Sequence, residues 1–169
     1  EKTYYLKDGV LTPNIVVIDG KKFFIDNEGN RSVGWKKIDG DWYYFSKEDG
    51  MKTGWLKDGS WYYLDETGVM RTGWKQVDGK WFFFNAEGVM QKWWVKDGNT
   101  WYYLNGSGQM QTGWLQDGGK WYFLEASGAM KASQWFEVAG KWYHVDASGA
   151  LSVNTTVDGY NVNANGEWV

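Results

Sequence analysis

The stretch Trp35-Lys36-Lys37-Ile38-Asp39-Gly40-Asp41-Trp42-Tyr43-Tyr44-Phe45 decides the fold. An Asp-Gly pair between two short runs of aromatic and β-branched residues signals a hairpin, because a type I′ turn needs positive φ at both central residues. With Asp39 and Gly40 as the loop, Ile38 opposes Asp41, Lys37 opposes Trp42 and Trp35 opposes Tyr44. Opposed residues of an antiparallel pair share a face, so Trp35, Trp42 and Tyr44 point one way while Tyr43 and Phe45 point the other. Trp35 and Trp42 are then diagonal neighbours, within reach for large rings.

The same pattern recurs along the chain. A leading Trp stands at Trp35, Trp55, Trp74, Trp94, Trp114 and Trp135, with spacings of 20, 19, 20, 20 and 21 residues. A second Trp follows at Trp42, Trp61, Trp81, Trp101, Trp121 and Trp142, so the two columns absorb twelve of the fourteen Trp. All five Met fall in one further column, Met51, Met70, Met90, Met110 and Met130, which Leu151 continues. Asp78-Gly79, Gly98-Asn99, Gly118-Gly119 and Ala139-Gly140 supply the later loops. The second repeat is one residue shorter. To keep Trp55, Trp61 and Tyr63 on one face it needs a three-residue loop, Asp58-Gly59-Ser60, with Gly59 at positive φ. A further Gly after each second strand (Gly50, Gly68, Gly88, Gly108, Gly128 and Gly149) marks the turn into the next unit. A lone hairpin is marginal in water, whereas stacked hairpins share contacts as a solenoid does. The expected fold is therefore all-β, a β-hairpin solenoid of tandem units of about 20 residues.

The flanks are weaker copies. Tyr4-Tyr5-Leu6 reads as the second half of a unit, which leads us to expect that the chain is part of something longer. Residues 15–30 carry Ile15 and Lys22 where the others have Trp. After Leu151, Tyr160 and Val162 stand in place of the second Trp and its partner. We therefore divide the chain into degenerate repeats at 1–30, the main array at 31–151 and a capping segment at 152–169.

Composition narrows the function. Aromatic residues make up 20% of the 169 residues, yet mean hydropathy is −0.60. Rings this dense on a polar background read as a ligand-binding surface or a repeat. A net charge of −3 argues against nucleic acid, which needs clustered Lys and Arg. With no Cys there is neither a disulfide nor a thiolate zinc site, and a single His cannot make a His-rich metal site. No apolar run approaches the ~18 residues of a membrane span. The residues form no Ser-His-Asp set, phosphate loop or metal spacing, so we expect neither an enzyme nor a cofactor. His144 reads as a tolerated substitution. Trp93, extra beside Trp94, has no account beyond packing.

The runs Gly54-Trp55, Gly59-Ser60-Trp61-Tyr62-Tyr63-Leu64 and Gly68-Val69-Met70-Arg71-Thr72-Gly73 resemble the choline-binding, or cell-wall-binding, repeat family of Gram-positive bacteria. The likeness covers residues 31–151. The stretch from Asn154 through Asn165-Gly166-Glu167-Trp168-Val169 is similar to the terminal segment of pneumococcal choline-binding surface proteins. The resemblance implies choline sites between successive units, each taking two Trp from one hairpin and one ring from the next, with Met nearby. Carried onto this chain, the sets are Trp35, Trp42 and Tyr63; Trp55, Trp61 and Phe83; Trp74, Trp81 and Tyr103; Trp94, Trp101 and Phe123; and Trp114, Trp121 and His144. Met70, Met90, Met110 and Met130 are the expected apolar walls. A Trp of the next hairpin is an alternative third ring. A sixth set, Trp135 and Trp142 with Val162, lacks a ring and is not expected to bind.

The chemistry suits the ligand. A quaternary ammonium donates no hydrogen bond but is drawn to ring faces, each contact being worth ~0.5–2 kcal/mol. Three rings amount to ~4 kcal/mol, or about millimolar affinity. Linking sites along one polymer adds ~10²–10⁴ in avidity. The resemblance thus implies a non-catalytic module, extracellular at the bacterial cell wall surface, whose partner is choline or phosphocholine on teichoic and lipoteichoic acids. It involves no membrane insertion. Family members dimerise through terminal repeats, an option that extends to a homodimer here. Two other functions remain open at this stage: the targeting tail of a cell-wall hydrolase and an aromatic-repeat carbohydrate binder. Pure packing of the Trp columns is the structural alternative, and open ring faces between units would exclude it.

Overall fold

Short loops such as Asp39-Gly40, Asp78-Gly79, Gly118-Gly119 and Ala139-Gly140 each close a hairpin. The structure is a computed structural model describing all residues except Glu1, Tyr5 and Thr12 and the side chain of Leu11, so Tyr5 of the Tyr4-Tyr5-Leu6 run lies outside the described residues. Every regular element among the described residues is a strand. In chain order these are β1 (Leu6–Lys7), β2 (Val10–Leu11), β3 (Asn14–Ile18), β4 (Lys21–Ile25), β5 (Gly34–Ile38), β6 (Asp41–Ser46), β7 (Gly50–Met51), β8 (Gly54–Asp58), β9 (Ser60–Leu64) and β10 (Gly73–Val77). They continue with β11 (Lys80–Phe84), β12 (Trp93–Asp97), β13 (Thr100–Leu104), β14 (Gly113–Asp117), β15 (Lys120–Leu124), β16 (Gln134–Val138), β17 (Lys141–Val145), β18 (Thr155–Val157) and β19 (Tyr160–Val162). Sequential strands pair as hairpins, with β7 adding a short third strand to β5–β6. The residues group into two units, Glu1–Lys75 with Phe83–Met90 and Gln76–Phe82 with Gln91–Val169. Within each, the fold is a succession of hairpins of the solenoid type.

The register follows the alternation of faces. Trp35 opposes Tyr44, Lys37 opposes Trp42 and Ile38 opposes Asp41. In the shorter unit Lys57 opposes Trp61 around Asp58-Gly59-Ser60, and Gly59 has φ 73°. Asp39-Gly40 and Asp78-Gly79 hold positive φ at both residues, the type I′ condition. Ala139 takes φ 51° in the same loop position with no side chain able to compensate. Ala139→Gly is expected to stabilise the second unit by about 0.5–1 kcal/mol, read as a rise in urea midpoint at constant slope. An unchanged or lowered midpoint would remove the strain argument.

Two columns make the core. The last inward residue of each second strand is sealed: Ile25, Phe45, Leu64, Leu104 and Val145 are 0% exposed, and Phe84 and Leu124 are 1%. Each contributes about 1.5–3 kcal/mol of apolar burial. Beside it, the Met column bridges back to the same strand, as in Leu64 to Met70 and Leu124 to Met130. The Met side chain then lies under the turn glycine of the following unit. A Cβ on Gly88 would sit 2.4 Å from the Met70 sulfur, and one on Gly149 would sit 2.4 Å from that of Met130. The turns themselves are held by a residue type the sequence reading passed over. The Asp65 carboxylate accepts the backbone N–H groups of Thr67 and Val69, and Asn85, Asn105, Asp146 and Asn163 repeat the arrangement. Burial pushes the Asp65 and Asp146 carboxyls up, but these hydrogen bonds, together with Arg71 and Lys120 respectively, outweigh it and hold both below the ordinary aspartate value.

Trp93 receives an account here. It occupies a left-handed position, φ 67°, where other hairpins begin with Gly34, Gly54, Gly73 or Gly113, and it leaves half its surface in solvent. Its ring lies over the turn at Gly106 and 6.2 Å from Tyr103, so packing against its own hairpin offsets a strained backbone.

Candidate binding site between hairpins

The two Trp of a hairpin stand on one face, and their exposure separates them except in the second hairpin, where Trp55 is 37% exposed. The second-strand Trp are open by a nearly constant amount, from 39% at Trp61 and Trp101 to 42% at Trp121. A column meant only for packing would be sealed like the Phe45–Leu64 column. Trp35, Trp94, Trp114 and Trp135 are half-buried, and several are locked in place. The indole N–H of Trp35 donates to the Asp58 carboxylate at 2.9 Å, that of Trp94 to Asp117 at 2.8 Å and that of Trp135 to Asp158 at 2.9 Å. Each acceptor lies 23 residues on, in the next hairpin. Such charge-assisted bonds fix the ring plane and leave its face free.

The opposite face of the next hairpin supplies the third ring. Tyr62 meets Trp35 edge-on at 4.9 Å, Tyr122 meets Trp94 at 5.0 Å and Tyr143 meets Trp114 at 4.9 Å. This differs from the expected third rings. Tyr63 instead backs Trp55 (5.2 Å), Phe83 backs Trp74 (4.9 Å), Tyr103 backs Trp94 (5.1 Å), Phe123 backs Trp114 (5.0 Å) and His144 backs Trp135 (5.0 Å), each within its own hairpin. The cause is parity. Tyr63 shares a face with Trp55 and Trp61, which looks forward along the stack, whereas Tyr62 looks back toward Trp35. His144 is further fixed by its Nδ1 contact with the Ser152 hydroxyl, 2.9 Å away.

These residues enclose open notches. Trp35, Trp42, Tyr62 and Met70 line one of about 350 Å³, with Ala86 and Glu87 at its rim. Trp114, Trp121, Tyr143 and Leu151 line another of about 370 Å³, with Ala164, Asn165 and Glu167. The wall residue is positioned by its backbone: Met70 N–H donates to the Trp42 carbonyl, Met90 to Trp61, Met110 to Trp81, Met130 to Trp101 and Leu151 to Trp121. In the second and fourth sets an amine already lies near the ring, with Lys57 Nζ 5.5 Å from the Trp61 centroid and Lys96 Nζ 5.9 Å from that of Trp101. In the third set Trp74 belongs to one unit and Trp81 to the other. The sixth set does not use Val162, which is buried. Trp135 and Trp142 instead share a pocket of about 230 Å³ with Tyr160 and Trp168. The sequence reading missed Tyr62, Tyr122, Tyr143, Tyr160, Trp168, the Asp clamps and the two rim Glu.

Two family models, both described as choline-binding repeat, match the stretches that carry these hairpins. One covers residues 32–70, 71–110 and 94–135, and the other covers 129–168. The chain belongs to the choline-binding repeat family. Among solved structures, CbpJ from Streptococcus pneumoniae TIGR4 is 43% identical with a TM-score of 0.90, over 98% of this chain and 61% of that one. Choline binding protein F from Streptococcus pneumoniae, solved with a tetrasaccharide-pentapeptide peptidoglycan analogue, is 43% identical with a TM-score of 0.88 over the same shares. The modular autolysin LytC from Streptococcus pneumoniae is 27% identical with a TM-score of 0.73, over 98% of this chain and 40% of that one. The chain thus spans 61% of the length of the first two proteins. No curated protein sequence matches it. Choline-binding repeats of this kind account for the tandem hairpins of both units.

Proposed function

We propose that these choline-binding repeats capture choline in the notches between consecutive hairpins. Occupying several at once, they hold their parent protein on phosphocholine-bearing teichoic and lipoteichoic acids at the bacterial surface, with no catalysis of their own. One observation carries the reading: the second-strand Trp keeps about two-fifths of its surface open, facing a notch that the next hairpin closes with a Tyr ring. The lining offers ring faces and an apolar wall, which suit a methylated cation, while the rim Glu87 and Glu167 add favourable charge. Sugar hydroxyls would find few polar partners there. In this reading residues 31–151 carry the rings of the inner notches and residues 152–169 close the array.

A second reading, the targeting module of a cell-wall hydrolase, draws on the likeness to LytC. It alters what the module carries and leaves what it grips unchanged.

The test follows the indole signal of Trp42 in a fluorotryptophan-labelled sample titrated with choline. Saturation is expected in the millimolar range, at about 1–10 mM. Tyr62→Leu raises the midpoint about tenfold, whereas Tyr63→Leu leaves it unchanged. No response to choline up to about 100 mM rules out the function, and the reverse pattern in the two variants rules out the site.

A further inference from the structure

The pocket at Trp135, Trp142, Tyr160 and Trp168 departs from the inner notches in composition. Its wall is Trp168, whose N–H donates to the Trp142 carbonyl as Met70 does to Trp42. Trp168 therefore occupies the thioether position and puts a fourth ring where the others have Met or Leu. It stands 5.9 Å from Tyr160 at an interplanar angle of 87°, and Trp135 meets Tyr160 at 5.9 Å and 80°. All four rings border a space smaller than the 350 and 370 Å³ notches. Trp168 and Tyr160 remain about half exposed, so the entrance is open.

Charge favours it at one position only, because Glu87 and Glu167 border the two inner notches and no carboxylate borders this pocket. The residue opposite the second Trp, on its face, is Lys37 at Trp42, Gln116 at Trp121 and Glu137 at Trp142. Lys57 and Lys96 oppose Trp61 and Trp101. Among these five positions Trp142 alone is opposed by an acid. Asp158 lies behind Trp135 as Asp58 lies behind Trp35, so that clamp does not distinguish them.

Resting on the choline-binding reading above, we propose that this four-ring pocket is the tightest cation site of the chain and the one most selective for full methylation. Its ligand class is the quaternary ammonium, and it fills before the inner notches do. A primary ammonium keeps its hydration shell and gains less from a fourth ring than a trimethylated one, which sheds water easily.

The experiment labels all Trp with fluorotryptophan, assigns Trp42, Trp121, Trp142 and Trp168 by single substitution to Phe, and titrates with choline and separately with ethanolamine. Trp142 and Trp168 are expected to reach half-response at about five- to tenfold lower choline than Trp42 and Trp121. Ethanolamine shifts them at no comparable concentration. Trp168→Met, which restores the residue of the inner units, brings the Trp142 midpoint up to theirs, and Glu137→Lys raises it with all four rings intact. Equal or later filling of the Trp142 pocket, an unchanged midpoint in both variants, or an equal response to ethanolamine overturns the proposal while the choline reading stands. A chain in which choline moves no indole overturns both.

Discussion

Gly50→Ala is expected to destabilise the first unit by about 3 kcal/mol. Two costs combine. Gly50 has φ 72°, where an L-residue pays ~1–2 kcal/mol. A Cβ there would also lie 2.2 Å from the backbone carbonyl oxygen of Lys22 and 3.3 Å from the Phe23 ring. A backbone carbonyl of β4 cannot step aside as a side chain can, so the two hairpins must separate. Gly88→Ala meets the same backbone cost at φ 81°, but its neighbour is the Met70 thioether, which can rotate away. About 2 kcal/mol is expected there. Gly40→Ala, with φ 88° and nothing within 4 Å, should cost only the backbone part, about 1 kcal/mol. Urea unfolding followed by near-ultraviolet circular dichroism should rank them Gly50, Gly88, Gly40. Equal losses at all three would mean that backbone conformation alone matters and that close approach between hairpins contributes nothing.

The second large effect is on retention by a polymer. Trp42→Ala or Trp121→Ala removes the open ring from a notch that otherwise keeps its Tyr and its wall. One lost ring weakens that notch by about tenfold for free choline. On a surface carrying many choline groups the loss compounds, because each site adds its own factor to the avidity. The Trp42→Ala/Trp121→Ala double variant is therefore expected to dissociate from choline-coated beads at least ~100-fold faster than the parent chain. Its affinity for free choline at the remaining notches stays unchanged. Surface plasmon resonance at low and high choline density separates the two. A double variant that dissociates no faster than either single one would show that the notches do not act together.

Much of this was legible from residue order. Asp39-Gly40 set the register of its hairpin because positive φ at two adjacent positions leaves few alternatives, and alternation then placed Trp35, Trp42 and Tyr44 together. The short second unit was legible for the same reason, since a three-residue loop around Gly59 alone keeps Trp55, Trp61 and Tyr63 on one face. The third ring was not. Which hairpin face looks forward depends on how one unit turns onto the next, and no pattern within a single unit encodes that rotation. The placement at Tyr63 overlooked parity: a residue sharing a face with Trp61 cannot also look back at Trp35, which leaves Tyr62. Trp168 carried a readable signal. It stands two residues after Gly166, as Met70 stands two after Gly68, but the comparison was made with Val162, which takes the buried position of Leu64. The Asp58, Asp117 and Asp158 clamps also keep a constant spacing, although their hydrogen bonds reach across a turn and not along a strand.

Each notch draws its second ring from one hairpin and its closing Tyr and wall from the unit that follows, with the wall pinned to the Trp carbonyl by a single hydrogen bond. On the choline-binding reading proposed above, capacity comes in whole periods, since one twenty-residue copy added or removed adds or removes one notch. The number of notches then changes in steps while each side chain stays as it is.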